Sequence, residues 1–191
     1  MNQKLIAAGA LAAALLASAS AQATTFTSIL SGANERPVPV VSFASGTGSL
    51  FLADDQNSFS IQIDFTGLSA NAAAAHIHCC SGPNANAGVA IGFAPPAATA
   101  GSILGSFDLT LASTYTSGFL NGAGGGTVSG ARGAFLAGLA SGNAYFNIHD
   151  SVYPGGEIRG QVTAVPEPGT YALMVMGLGM VGLWARRRET R

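Results

Sequence analysis

Lys4 is the only lysine among these 191 residues, and Asp, Glu, Lys and Arg together make up just 9% of the chain. Between Thr24 and Ala164 the cations form no patch able to neutralise a phosphate backbone, which argues against nucleic-acid binding. Cysteine is nearly absent too, limited to the adjacent Cys79 and Cys80. That excludes a fold stapled by a disulfide framework and any CxxC zinc site. Histidine occurs three times, at His76, His78 and His149, with no HExxH pair. There is no GxSxG elbow, and "GAGGGT" lacks the lysine of a phosphate-binding loop. No hydrolase or nucleotide-binding signature stands out, and the chain is expected not to be an enzyme.

What is present begins with the two ends. Lys4, the apolar run Leu5 to Leu16 and the small residues of "ASAQA" form a secretory signal peptide over residues 1–23, with cleavage after Ala23. At the other end, residues 165–191 hold Pro166, Glu167 and Pro168, an uncharged stretch from Tyr171 to Ala185, and Arg186, Arg187 and Arg188. A stable spanning helix needs about 20 apolar residues, so this stretch is short, and Gly177, Gly179 and Gly182 weaken it further. The arginines would stay cytoplasmic and halt export. An ordinary membrane anchor is one reading. Taken in order, however, the triad, short apolar segment and basic end resemble the PEP-CTERM sorting signal of exopolysaccharide-producing Gram-negative bacteria. That resemblance implies transient anchoring in the inner membrane, processing by exosortase-type machinery, and delivery to the cell surface or extracellular matrix. Exopolysaccharide and matrix proteins are the partners it suggests.

Between them, residues 24–164 have the length of one domain. Three arginines, Arg36, Arg132 and Arg159, stand against seven carboxylates there, a net charge of −4. The pattern is mostly β. In "GSLFLADDQNSFSIQIDFTGL", Leu50 and Leu52, then Phe59, Ile61, Ile63 and Phe65, alternate with polar residues around a turn at Asp54 to Asn57, which predicts a hairpin with one buried face. "GSILGSFDLTLAS" predicts another half-buried strand through Phe107, Leu109 and Leu111. From Gly130 to Ala140 the spacing of Phe135, Leu136 and Leu139 becomes helical and predicts one short amphipathic helix. "NGAGGGTVSG" reads as a loop. Many short strands and one minor helix argue for an all-β sandwich or barrel.

Strand parity then places the histidines. Side chains two apart share a face, so His76, His78 and by extension Cys80 point one way, and Ala75, Ile77 and Cys79 point into the core. In "AYFNIH", Ala144, Phe146 and Ile148 take the core side, leaving Tyr145, Asn147 and His149 opposite. After a turn at Tyr153 to Gly156, "EIRGQVT" buries Ile158 and Val162. A simple hairpin register sets His149 against Glu157, Asn147 against Arg159 and Tyr145 against Gln161.

The order of "LSGANERPVPV", "AAHIH", "YFNIH" and "GEIRGQ" resembles the CHRD domain, first described in chordin, from about Phe26 to Val162. The resemblance implies an immunoglobulin-like β-sandwich with distant likeness to copper-zinc superoxide dismutase, and it supplies no established activity. Three histidines cannot furnish that enzyme's full copper and zinc ligand set. The chain departs from the usual CHRD pattern at Cys79 and Cys80, where a Gly-Pro type turn is common.

A binding or matrix-associated structural module is therefore the expected function, and a copper or zinc site built from His76, His78 and His149 is the alternative. Cys80 is a candidate additional ligand, and Glu157 a candidate partner to orient the His149 imidazole. The same imidazoles can equally serve as structural hydrogen-bonding groups. Export favours oxidation, so Cys79 and Cys80 are candidates for a disulfide between neighbours, although their Cα atoms are closer than disulfides usually span. Free thiols, metal ligation and pairing with another chain stay open.

Overall fold

The structure, a computed structural model, describes residues 24–166 and 168–189. The leader assigned to residues 1–23 and Glu167 of the sorting triad lie outside the described residues. The elements are β1 (Thr24–Ser31), β2 (Ser45–Leu52), β3 (Ser58–Thr66), β4 (Ala72–Cys79), β5 (Val89–Phe93), β6 (Gly101–Asp108), α1 (Ser117–Asn121), α2 (Val128–Ala140), β7 (Ala144–Asp150), β8 (Ile158–Gln161), β9 (Thr163–Ala164) and α3 (Pro168–Glu189).

The strands join in one antiparallel sheet in the order β5-β4-β7-β8-β1-β2-β3-β6, with β9 on β1. The sheet curls until it is nearly closed. Phe93 of β5 and Phe107 of β6, at its two ends, have ring centroids 6.0 Å apart. Opposite walls also touch: a Cβ at Gly48 of β2 would lie 2.8 Å from the Phe146 ring of β7, so only glycine lets that aromatic seat across the core.

Alternation drives this burial. Phe59, Ile61, Ile63 and Phe65 of β3 are all buried, as are Leu50 and Leu52 of β2, facing their partners across a turn at Asp54 to Asn57. Each such side chain removed from water contributes about 1.5–3 kcal/mol. The expected strand through Phe107 needs correction at its end. β6 stops at Asp108, and Asp108 accepts from the Thr110 N–H and hydroxyl, which turns the chain. Leu109 remains buried, but Leu111 is exposed.

The helical spacing near Gly130 belongs to α2. Thr127 caps its start by accepting from the Gly130 N–H, and Gly142, at φ 68°, follows its end. Ala131, Phe135, Gly138 and Leu139 are its buried face, with Phe135 set against Phe59 at 5.4 Å between centroids. A second short helix, α1, was not expected from the sequence; Thr116 caps it and Phe119 anchors it in the core. The tail forms α3, along which Leu173, Met176, Leu178, Met180 and Val181 are exposed and the Arg188 guanidinium covers the Trp184 ring. Among the described residues, no helix is long and apolar enough to cross a membrane.

Candidate metal centre

β4 and β7 lie side by side, and their pairing decides where the histidines meet. Ile77 faces Phe146 on the core side, so His76 beside Asn147 and His78 beside Tyr145 share the outer face. His149 pairs with Ala74, two residues along the strand from His76. The structure therefore brings His76, His78 and His149 together, with one ligand-capable nitrogen from each lying within 4.8 Å of the others.

Hydrogen bonds to carbonyls settle the inward lone pairs of His78 and His149. His78 Nδ1–H donates to the Ala87 carbonyl at 2.8 Å, and His149 Nδ1–H donates to the Pro154 carbonyl at 3.1 Å. A neutral ring that donates from Nδ1 carries its lone pair on Nε2. His149 Nε2 lies 3.1 Å from His76 Nδ1, and His78 Nε2 is buried with no hydrogen-bond partner. All three rings are held toward the neutral form. Burial depresses the His76 and His149 pKa values, with the neighbouring His149 adding to the effect at His76, and burial takes His78 down to about 4.

Around this cluster the outer face is roofed by loops. Tyr145 is sandwiched, stacked on His78 with centroids 4.7 Å apart and covered by the Arg159 guanidinium at 3.5 Å. Arg159, fully buried, also donates to the Ala85 carbonyl and to Asn86 Oδ1, which clasps residues 80–88 down onto β7 and β8. From the 32–44 segment comes Glu35, whose carboxylate accepts from Asn147 Nδ2 at 2.6 Å. Burial pushes the Glu35 pKa up to about 7, against the opposing pull of Asn147 and Arg159. Glu35, Tyr145, Asn147 and His78 all line one cavity of about 140 Å³.

Two of the expected site residues are elsewhere. Cys80 is bonded to Cys79 across a cis peptide, and its sulfur lies 3.4 Å from the Ala134 carbonyl of α2, so it cannot serve as a thiolate beside the histidines. β4 ends at Cys79, and beyond a strand's end the alternation no longer fixes a face. Glu157 does not touch His149. The β7–β8 ladder pairs Tyr145 with Gln161 and Asn147 with Arg159 as the hairpin register requires, but it stops at Ile148 and Ile158. Gly156, at φ 121°, rotates the chain just before, and Glu157 turns to the other side of the sheet. There it accepts from the Ser42 and Ser69 hydroxyls and the Ser69 N–H.

Glu35 and Asn86 are the site residues that the sequence pattern did not reveal. Both sit in loops far along the chain from the strands they meet, where no periodicity applies. One signal was available: Glu35 and Arg36 stand immediately before a Pro- and Val-rich stretch in a chain with few charges.

The family comparisons agree with this architecture. The CHRD domain matches residues 26–162, and the PEP-CTERM protein-sorting motif matches residues 164–188. No curated protein and no solved structure matches the chain. The motif marks a protein that is exported, associates transiently with the membrane and is handled by exosortase-type sorting machinery. With the match spanning the strands that carry all three histidines, the chain belongs to the CHRD-domain family and ends in a PEP-CTERM sorting motif.

Proposed function

We propose that this exported protein is a transition-metal-binding module rather than an enzyme, and that His76, His78 and His149 hold one zinc or copper ion. The observation that carries the reading is the unpartnered His78 Nε2, buried beside two other imidazoles and fixed in place by a carbonyl on the far side of its own ring. Donating the remote N–H to a carbonyl is how proteins orient metal-binding histidines. The donor set fits. Three nitrogens at bonds of about 2.0–2.1 Å to a tetrahedral ion sit roughly 3.3 Å apart; His76 Nδ1 and His149 Nε2 are 3.1 Å apart, and all three donors lie within 4.8 Å of one another, so a small inward shift closes the set. With sulfur excluded, an all-imidazole set suits Zn(II) or Cu(II). Neutral rings bind without first losing protons.

The sorting motif would deliver such a site to the cell surface or extracellular matrix, where exopolysaccharide or matrix proteins are its neighbours. A structural role in that matrix is compatible with holding an ion. The test is metal titration of the full chain, purified without a histidine tag. One equivalent of Zn(II) or Cu(II) is expected, with affinity falling at least 100-fold in His149→Ala. Equal binding by wild type and a triple histidine variant overturns the reading.

A further inference from the structure

Beside His78 lies the 140 Å³ cavity, room for a few waters. Its wall is chemically unbalanced. Asn147 is 3% exposed, yet its Oδ1 has no hydrogen-bond partner, because its Nδ2 is committed to the Glu35 carboxylate. With Glu35 ionised the amide does not turn over to relieve this, since Oδ1 would then face a carboxylate oxygen at 2.6 Å. His78, on the same wall, has its own unpartnered acceptor in Nε2. A buried acceptor without a donor costs about 1–3 kcal/mol, so two on one cavity mark a place made for a guest.

Gly156 packs against this pair: a Cβ there would lie 2.5 Å from Asn147 Oδ1 and 2.8 Å from Glu35 Oε1, so only glycine fits beside them. The metal satisfies His78 Nε2 but leaves Asn147 Oδ1 unpaired. Three protein nitrogens also leave a four-coordinate ion one position short.

We infer that the ion keeps an open position toward this cavity, and that the cavity admits a small molecule bearing both a donor atom for the metal and an O–H or N–H for Asn147 Oδ1. Hydroxylamine, hydrogen peroxide and water have that chemistry; azide fits by size but has no hydrogen to donate. The inference rests on the metal-binding reading above.

Co(II) takes the same tetrahedral nitrogen donors as zinc and has visible bands that report its ligands, so the test uses the full chain loaded with Co(II). Adding hydroxylamine should shift the bands with saturation, and at least tenfold lower concentrations should suffice than for azide. Asn147→Ala should erase that preference by weakening hydroxylamine about tenfold and azide less than twofold, with Co(II) affinity held within threefold. If Asn147→Ala does not fold, the wild-type preference alone decides. Co(II) binding with bands unmoved by either probe overturns this inference and leaves the metal reading standing. Equal affinity for the two probes overturns the role of Asn147 Oδ1. Failure to bind Co(II), Zn(II) or Cu(II) ends both.

Discussion

β7 carries two polar clusters, one on each side of the sheet, and they are built to opposite rules. On the core side, Asp150 accepts from the Ala70, Val152 and Tyr153 N–H groups at 2.7, 3.0 and 2.6 Å. Burial works to raise the Asp150 pKa, but these N–H groups and hydrogen bonding with Glu157 hold it below its ordinary value. Glu157 is filled in the same way by Ser42 and Ser69. Every group named there has a partner within the chain, tying the 69–70 and 150–153 turns to the sheet. On the outer side, Asn147, three residues back along β7, and His78 of the neighbouring β4 each bury an acceptor that the chain leaves unpaired. A matched cluster is structural, because its whole hydrogen-bonding capacity is spent on the fold. An unmatched one has capacity in reserve for something that is not the protein.

The comparison breaks most visibly at Asp150. Asp150→Ala strands three N–H groups near the core and should cost about 3 to 5 kcal/mol in urea denaturation. A loss under about 1 kcal/mol would mean that the acidic cluster is not structural, and the contrast fails. The histidine side should behave in reverse. His78→Phe keeps the stack on Tyr145, gives up the bond to Ala87 and removes an unpaired buried acceptor, so the metal-free protein should stay within about 1 kcal/mol of wild type. Metal affinity should nevertheless fall at least 100-fold, read by competition with a chromophoric chelator. Large destabilisation with metal binding retained would make His78 a structural residue like Asp150.

A smaller but sharper contrast lies at α2. A Cβ on Gly138 would overlap the sulfurs of both Cys79 and Cys80, so Gly138→Ala should cost about 1–3 kcal/mol by overpacking. Because those sulfurs are turned to α2 and away from the histidines, zinc affinity should change less than threefold. A loss of metal binding as large as that of His78→Phe would put the disulfide back into the site.

Much of this was legible in the chain because strands obey a period of two. Parity alone puts His76 and His78 on one face, and the hairpin register of Tyr145 with Gln161 and Asn147 with Arg159 follows from counting across one turn. Parity fails where strands end, and each misplaced residue sits there: Cys80 one past β4, Glu157 one before β8, Leu111 three past β6. What encloses the site was least legible. Glu35 reaches Asn147 across 112 positions and Asn86 reaches Arg159 across 73, through loops whose closure is decided by tertiary fit rather than local pattern. The sequence therefore showed which imidazoles share a face, but not the cavity beside them.

The smallest effect tests whether the two buried titrating systems of the outer face oppose one another. In the metal-free protein, unfolded imidazoles bind protons near pH 6.5, but folded His78 resists protonation until about 4, with His76 and His149 displaced the same way. The unfolded state binds more protons across that window, so the histidines make stability fall as pH drops from about 6.5 to 4. Glu35 has the opposite sign. Its folded pKa is raised from 4.5 to about 7, so the folded state holds the extra proton; the stabilisation is full below 4.5 and disappears as pH rises through 7. Glu35→Gln keeps an acceptor for Asn147 and removes this second slope. A tenfold difference in proton affinity between folded and unfolded chains is worth roughly 1.4 kcal/mol, and partial solvation of the carboxyl reduces it. The variant should therefore match wild type near pH 5 and exceed it by about 1 to 2 kcal/mol at pH 8. On acidification it should consequently lose stability more steeply than wild type, as measured by urea midpoints across that range. Parallel curves for the two proteins would show that the Glu35 carboxyl titrates like one in water, and that the face beside the histidines is wetter than its packing implies.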